Sequence, residues 1–259
     1  MNKAEKIAKK LKNFNAEIGI ILGSGYENLI ELENVKVVDY KSLGFEFCEV
    51  KGHLRQFTFG EYKSKKIVLI SRFHYYESGT TENIFLLFNV LSLIGVKTIF
   101  ATTAVGGVNP EFKAGDMMLI KSHINLCGVN PLIAKKPVKF VDLSNAYDKN
   151  LRKLIMKTAK KLEIEICEGV HLQTSGPSYE TPAEVDFYKK IGADTVSMST
   201  ALDCICARNF DIKFVAIAGI TNKAVSEKTG AITHDDVLAN SQKICKKLSK
   251  LIQTILPLV

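Results

Sequence analysis

The chain has 259 residues and carries 35 lysines and arginines against 27 aspartates and glutamates, a formal net charge of +8. This length is enough for one large hydrophobic core, and no run approaches the roughly 18 consecutive apolar residues of a membrane span. Residues 1–12 lack the apolar segment of a secretion signal, so we expect a cytoplasmic protein with reduced cysteines. The positive charge leaves nucleic acid, a membrane surface, a small anionic substrate and plain solubility open as explanations.

Helical and strand patterns alternate along the whole chain, with no internal repeat and no flexible linker in the sequence. Strands are predicted at residues 18–22, 67–70, 98–101, 117–120, 170–174, 195–198 and 214–220. Helices are predicted at residues 4–11, 84–94, 151–162, 182–190 and 234–255. The alternation and the uniform composition favour a single α/β domain, residues 1–259, in which helices cover a central sheet.

Polar residues follow the first two of these strands, at the end of a sheet where α/β proteins bind ligands. In Gly23-Ser24-Gly25 the backbone amides and the serine hydroxyl could hold an anion, although for this motif alone a plain strand-to-helix turn is favoured. Arg72 and His74 alternate, so in an extended segment they point the same way, and Tyr76 continues that face. The planar fork of arginine suits phosphate, but a solvated ion pair is also compatible.

Three further strand ends or helix starts carry candidate residues. The 182–190 helix is predicted to begin with Thr181 as its N-cap and Glu184 three residues later. Glu180 lies just before this cap, where the helix N-terminus would favour the ionised carboxylate. Asn222 ends an apolar strand, and a buried amide there must find partners from the backbone or from a ligand. His234, before the last helix, fits a surface or capping role as well as a functional one.

Taken together and in this order, the segments resemble the purine nucleoside phosphorylase family of the homotrimeric type, over residues 18–238. The matching segments are Leu22-Gly23-Ser24-Gly25, residues 72–77, 106–110, 115–120, 123–126, 176–184 and 192–194, Met198-Ser199-Thr200 and Thr221-Asn222-Lys223. The resemblance implies a mixed, twisted sheet flanked by helices and a homotrimer with active sites near the subunit interfaces. It also implies that phosphate cleaves the N-glycosidic bond of 6-oxopurine ribonucleosides and deoxyribonucleosides, such as inosine and guanosine. The products would be the free base and ribose or deoxyribose 1-phosphate, with no cofactor, metal, nucleic acid or membrane involved.

The resemblance also assigns residue roles. The residues that match the phosphate site are Ser24, His53, Arg72, His74, the Ala104 backbone and Ser199, with His53 on a loop that closes over phosphate. The residues that match base and ribose contacts are Tyr76, Phe140, Tyr179, Glu180, Met198, Asn222 and His234. Of these, Phe140 would be contributed by the neighbouring subunit. Glu180 would bind the N1 edge of the purine and Asn222 its N7 and 6-oxygen, and these two with His74 would be the catalytic residues.

Asn222 favours 6-oxopurines, because a sister family of methylthioadenosine phosphorylases typically has aspartate there and a buried hydrogen bond discriminates strongly. The chain departs from the family at Thr103, in the short loop 126–131 and in Ala201-Leu202-Asp203. A phosphorylase preferring xanthosine or methylthioadenosine therefore stays open. A dinucleotide-dependent oxidoreductase is disfavoured because Gly23-Ser24-Gly25 lacks a third glycine. A nucleic-acid-binding module is disfavoured because the lysines are spread over helix exteriors.

Overall fold

A computed structural model of the chain describes residues 1–46, 54–224 and 234–259, and the side chains of the last helix from residue 237 onward. The strands are β1 (Ile18–Leu22), β2 (Glu33–Asp39), β3 (Gln56–Tyr62), β4 (Lys65–Ser71), β5 (Thr98–Gly107), β6 (Met117–Asn125), β7 (Cys167–Gln173), β8 (Thr195–Ser197) and β9 (Lys213–Lys223). The helices are α1 (Lys3–Lys10), α2 (Tyr40–Leu43), α3 (Glu82–Leu93), α4 (Lys149–Lys161), α5 (Pro182–Lys190), α6 (Ala201–Asn209) and α7 (His234–Ile255). Every predicted strand and helix is present, whereas β2, β3, α2 and α6 have no counterpart among the bounds predicted above.

The strands form one mixed sheet, as the family resemblance implied. Their order is β2-β3-β4-β1-β5-β8-β7-β6-β9, and β9 also pairs with β5, so the last five strands in this order close into a ring. The pairs β1–β4, β1–β5 and β5–β9 are parallel, whereas β2–β3, β3–β4 and β6–β9 are antiparallel. The parallel strands therefore end together at one edge of the sheet, where the candidate residues follow them.

Helices cover both faces of the sheet. Neighbouring residues of β1 point to opposite faces: Ile21 belongs to an apolar cluster with α1, α3 and α6, and Ile20 to a second cluster with α4 and α7. This burial on both sides explains why β1 is apolar throughout, as parallel strands between two helix layers usually are. Within the described ranges, no helix has the length and apolar character needed to cross a membrane.

Helix α5 begins as its sequence predicted. Thr181 is the N-cap residue and accepts a hydrogen bond from the backbone N–H of Glu184, whose carboxylate accepts one in return from the Thr181 N–H. This reciprocal capping fixes the first turn of the helix. It also fixes the chain direction immediately after Glu180.

Candidate active site

A cleft of about 310 Å³ opens at the carboxyl ends of β1, β4 and β5, beside the segments that follow β7 and β8 and the end of β9. We call it the strand-end cleft. The predicted site residues that line it are Ser24, Arg72, His74, Tyr76, Ala104, Tyr179, Glu180, Met198, Ser199 and Asn222. Phe140 does not line it and is 97% exposed, whereas His53 and the His234 side chain lie outside the described residues.

Two glycines place Ser24 in the cleft. A Cβ on Gly23 would lie 2.7 Å from the backbone oxygen of Thr102, and a Cβ on Gly25 would lie 2.5 Å from the Ser241 Cβ in α7. Gly25 also has a φ of +83°, a conformation that other residues rarely adopt. The loop thus passes closely between β5 and α7, and the backbone N–H of Gly23 donates to the Thr102 hydroxyl over 2.9 Å.

Arg72 is 2% exposed and is held from two sides. Its Nε donates to Oδ2 of Asp203 over 2.7 Å, and its Nη1 donates to Oγ of Ser199 over 3.0 Å. Its third nitrogen, Nη2, is buried and has no hydrogen-bond partner among the described residues. A buried guanidinium N–H beside a cleft is well suited to an anion, because a charge-assisted hydrogen bond would satisfy it.

His74 is oriented by a carboxylate. Its Nδ1 lies 2.8 Å from Oε1 of Glu77, which also accepts from the His74 backbone N–H, and Oε2 of Glu77 lies 3.0 Å from Nη1 of Arg55. Because the ionised carboxylate can only accept hydrogen bonds, we place the ring proton of His74 on Nδ1. Burial lowers the pKa of His74, and the hydrogen bond to Glu77 partly offsets this. The neutral ring then carries its lone pair on Nε2, which is the atom that can accept a proton.

Tyr76 and Met198 meet beside His74. The Tyr76 ring stacks on the His74 ring with centroids 4.9 Å apart and an interplanar angle of 21°. A Cβ on Gly176 would lie 2.5 Å from Sδ of Met198 and 3.1 Å from Cδ1 of Tyr76. The absence of a side chain at Gly176 therefore allows these two side chains to approach each other from different segments.

Glu180 is half buried in the strand-end cleft. Burial raises the pKa of its carboxyl, a hydrogen bond from its own backbone N–H lowers it by a smaller amount, and the nearby Glu184 carboxylate raises it further. The helix N-terminus was expected to favour the ionised form, but the net shift of the Glu180 pKa is upward, toward the neutral form. Loss of water around the carboxylate outweighs the favourable end of α5.

Asn222 presents its amide at the end of β9. The Thr221 hydroxyl donates to Asn222 Oδ1 over 2.8 Å, and Asn222 Nδ2 donates to the Lys223 carbonyl over 2.9 Å. These contacts set which end of the amide is the donor. Within the described part of the chain the contact with Lys223 is the hydrogen bond that Nδ2 makes, so its second N–H can donate to a ligand atom in the strand-end cleft.

Two residues near the site were not recognised as contributors from the sequence. Asp203, noted there only as a departure from the family pattern, is the partner of Arg72. Thr103, whose lack of an amide put ligand contacts in question, places its hydroxyl 3.2 Å from Oγ of Ser199. In the sequence, these residues stood out only as departures from the family pattern. The Arg72–Asp203 contact could not be anticipated, because it joins positions 131 residues apart.

The sequence matches the family model described as the phosphorylase superfamily over residues 17–257. It is 39% identical over 246 residues, covering 92% of this chain and 91% of the relative, to purine nucleoside phosphorylase 1 of Bacillus subtilis (strain 168). The fold is similar to the crystal structure of Schistosoma mansoni purine nucleoside phosphorylase in complex with adenosine, with a TM-score of 0.91, 32% identity and coverage of 97% and 95% of the two chains. The same enzyme in complex with inosine gives a TM-score of 0.90 at 31% identity and coverage of 98% and 95%.

Proposed function

The chain belongs to the phosphorylase superfamily, among enzymes named purine nucleoside phosphorylases, and on that premise we propose that it cleaves 6-oxopurine nucleosides with inorganic phosphate. Inosine and guanosine, with ribose or deoxyribose, are the proposed substrates. The products are the free base and the corresponding sugar 1-phosphate. Phosphate is a co-substrate, and the proposed reaction uses no cofactor.

One observation carries this proposal: Ser24 and Arg72 line the same strand-end cleft as Glu180 and Asn222, so we assign it an anion-binding end and a purine-binding end. At the first end are Nη2 of Arg72, without a partner in the described part of the chain, and the side chain of Ser24. At the other end are Glu180 and Asn222. A nucleoside spanning these ends would place its anomeric carbon between the phosphate and the leaving base.

The proposed mechanism separates two charges. The glycosidic bond breaks through a ribose with oxocarbenium character, which the bound phosphate dianion stabilises before it bonds to the anomeric carbon. Arg72, Ser24, Ser199, His74 and the Ala104 backbone hold that phosphate. Because His74 is neutral with its proton on Nδ1, its Nε2 can accept the remaining phosphate proton.

Negative charge collects on the leaving purine, which takes one proton from solvent to become the neutral free base and so balances the proton that leaves the phosphate. An N–H of Asn222 donates to N7 or the 6-oxygen, and this hydrogen bond strengthens as negative charge builds on the base. Glu180 binds the N1 edge and orients the base. A purine with a 6-oxygen accepts from the amide, whereas a 6-amino group does not. Tyr179 flanks the base, and Tyr76, Met198 and His234 complete the ribose contacts.

The subunit arrangement is also a proposal. Phe140 is 97% exposed, and Val138 and Ile133 beside it in the chain are 74% and 69% exposed. Exposed apolar groups of this size commonly mark a protein interface. We expect a homotrimer in which Phe140 covers the ribose in a neighbouring subunit and His53 closes over the phosphate.

The test is base release from inosine in the presence and absence of phosphate. We expect hypoxanthine and ribose 1-phosphate in equal amounts, with no release when phosphate is omitted. Guanosine, xanthosine, adenosine and methylthioadenosine are compared under the same conditions. A preference for xanthosine or methylthioadenosine would replace the proposed substrate, and no phosphate-dependent cleavage of any of them would refute the function.

A further inference from the structure

His171 is a completely buried histidine in β7 that the proposed reaction does not use. Its exposure is 0%. Its Nε2 lies 3.1 Å from the Ser199 carbonyl oxygen and 3.2 Å from Oγ of Ser197, and its Nδ1 lies 3.0 Å from the Thr195 hydroxyl. Because a carbonyl can only accept, the proton belongs on Nε2, and the Thr195 hydroxyl donates to Nδ1. Both ring nitrogens are thus used for hydrogen bonds.

The Ser199 carbonyl belongs to a strained turn. The next residue, Thr200, has a φ of +89°, although a β-branched side chain disfavours that region. The hydrogen bond from His171 holds the carbonyl in the direction that this conformation gives it. The same turn presents Oγ of Ser199 to Nη1 of Arg72, 3.0 Å away, and to the Thr103 hydroxyl, 3.2 Å away.

We propose that His171 is a positioning residue for the phosphate site, acting through the Ser199 carbonyl on the Ser199 hydroxyl and Arg72. The inference rests on the proposed function for the identity of the anion. His171 makes no contact with the substrate. It fixes the turn so that the donors at the anion-binding end of the cleft are already in place when phosphate arrives, which reduces the cost of ordering them on binding.

The surroundings of His171 keep it neutral. The groups that face it are His123 on β6, its register partner, Thr195 and Ser197 on β8, and the Arg72 guanidinium. None of these is an acid, and burial is the largest cause of a pKa lowered to about 3. The ring therefore keeps one donor and one acceptor over the working pH range, which is what its two partners require.

The matched pair His171→Gln and His171→Met tests the role. Glutamine keeps an N–H near the position of Nε2, whereas methionine fills a similar volume without a donor. Steady-state kinetics with phosphate and inosine varied in turn separate the two Michaelis constants. We expect His171→Met to raise KM for phosphate about tenfold or more and KM for inosine less than about threefold. His171→Gln should stay close to wild type.

His123→Gln is the control. Its ring is the neighbour of His171 across the sheet, but its Nδ1 contacts the Tyr147 hydroxyl at 3.0 Å and not the Ser199 turn. We expect both Michaelis constants of this variant to stay within about twofold of wild type. A folded His171→Met enzyme with an unchanged KM for phosphate, or a glutamine variant as impaired as methionine, would overturn the proposal.

A second variant covers the case in which His171→Met does not fold. Thr195→Val has nearly the same shape and removes only the hydroxyl that donates to Nδ1 of His171. We expect it to raise KM for phosphate about threefold or more without a matching change for inosine. An unchanged KM for phosphate in Thr195→Val would count against the proposal.

Thermal unfolding with inorganic phosphate alone separates this inference from the proposed function. Phosphate that binds the folded protein raises its Tm. A rise in wild type that is lost in His171→Met, or in Thr195→Val if that variant is needed, supports the inference even if no nucleoside is cleaved. No rise in wild type would overturn it.

Discussion

Asp203 accepts a hydrogen bond from Nε of Arg72 across 2.7 Å, and neither side chain is more than 3% exposed. The negative charge of the carboxylate compensates the positive charge of the buried guanidinium, and the hydrogen bond fixes the plane of the guanidinium. Nη1 then donates to the Ser199 hydroxyl, and Nη2 remains to bind an anion. The pair therefore sets the geometry of the anion-binding end of the strand-end cleft before any ligand is present.

Replacing Asp203 should destabilise the protein strongly. Asp203→Asn leaves Arg72 buried without its counter-charge, and removing one partner of a buried ion pair costs about 3–5 kcal/mol. The free energy of unfolding, measured by urea denaturation in phosphate-free buffer at fixed protein concentration, tests this. Asp203→Glu keeps the charge and should be less destabilised than Asp203→Asn.

A surface ion pair provides the control for that measurement. Arg152 and Glu168 are in contact, but the Glu168 side chain is 35% exposed, and pairs of this kind contribute about 0–1 kcal/mol. Glu168→Gln should therefore change the free energy of unfolding far less than Asp203→Asn. Equal effects would mean that burial of the Arg72–Asp203 pair is not what makes it important.

Glu180 should matter to the reaction much more than Glu184, four residues later. Glu180→Ala removes the carboxylate proposed to bind the base and should lower kcat/KM for inosine. The expected loss corresponds to about 3–4 kcal/mol of transition-state stabilisation. Glu184→Ala removes only the capping contact with Thr181, so kcat/KM should stay near wild type while Tm falls. A loss below about tenfold for Glu180→Ala would make that residue peripheral.

Asn222 should determine which purine is preferred. In Asn222→Asp the amide donor becomes an acceptor, which repels charge on a 6-oxopurine leaving group and suits a 6-amino group. Turnover of inosine should fall, and the ratio of kcat/KM for adenosine to that for inosine should rise. An unchanged ratio would refute the assigned contact, whereas a uniform loss for both substrates would indicate only a disturbed cleft.

The sequence predicted the parallel strands and long helices because their signals are local. Residues 18–22 are apolar throughout, and α5 carries its capping residues within four positions. Strand β2 gave no such signal because it lies at the edge of the sheet with Val35 and Val37 half exposed. Its position depends on pairing with β3, which no local pattern in this segment reveals.

The candidate site likewise contains residues that the sequence could identify and residues that it could not. Residues that directly follow a strand, such as Ser24 and Arg72, could be identified in order along the chain. Residues that act through another side chain could not. His171 lies in the middle of β7, and its importance follows from the Ser199 turn that approaches it through three-dimensional packing. The direction of the Glu180 pKa shift likewise depends on burial, which the helix-start pattern does not report.

The buried histidines should make stability depend on pH in a defined direction. Burial lowers the pKa of His171 to about 3 and that of His123 to about 4, against about 6.5 in an unfolded chain. Below pH about 6.5 the unfolded state therefore binds more protons than the folded state, so stability is complete above that pH and is lost as the pH falls. Each histidine contributes a slope of up to about 1.4 kcal/mol per pH unit.

Urea denaturation of wild type and His171→Gln between pH 4 and pH 6 measures that slope. Other groups titrate in both proteins, so the difference between the two slopes isolates His171, and it should approach about 1.4 kcal/mol per pH unit. His123→Gln should lower the slope over the upper part of the same range, and the double variant should show both changes. Parallel stability curves for wild type and His171→Gln would mean that His171 titrates in the folded protein much as it does in the unfolded chain. Since a charged ring cannot offer an acceptor at Nδ1 to the Thr195 hydroxyl, that outcome would confine the hydrogen-bond pattern by which His171 holds the Ser199 turn to pH values above about 6.5.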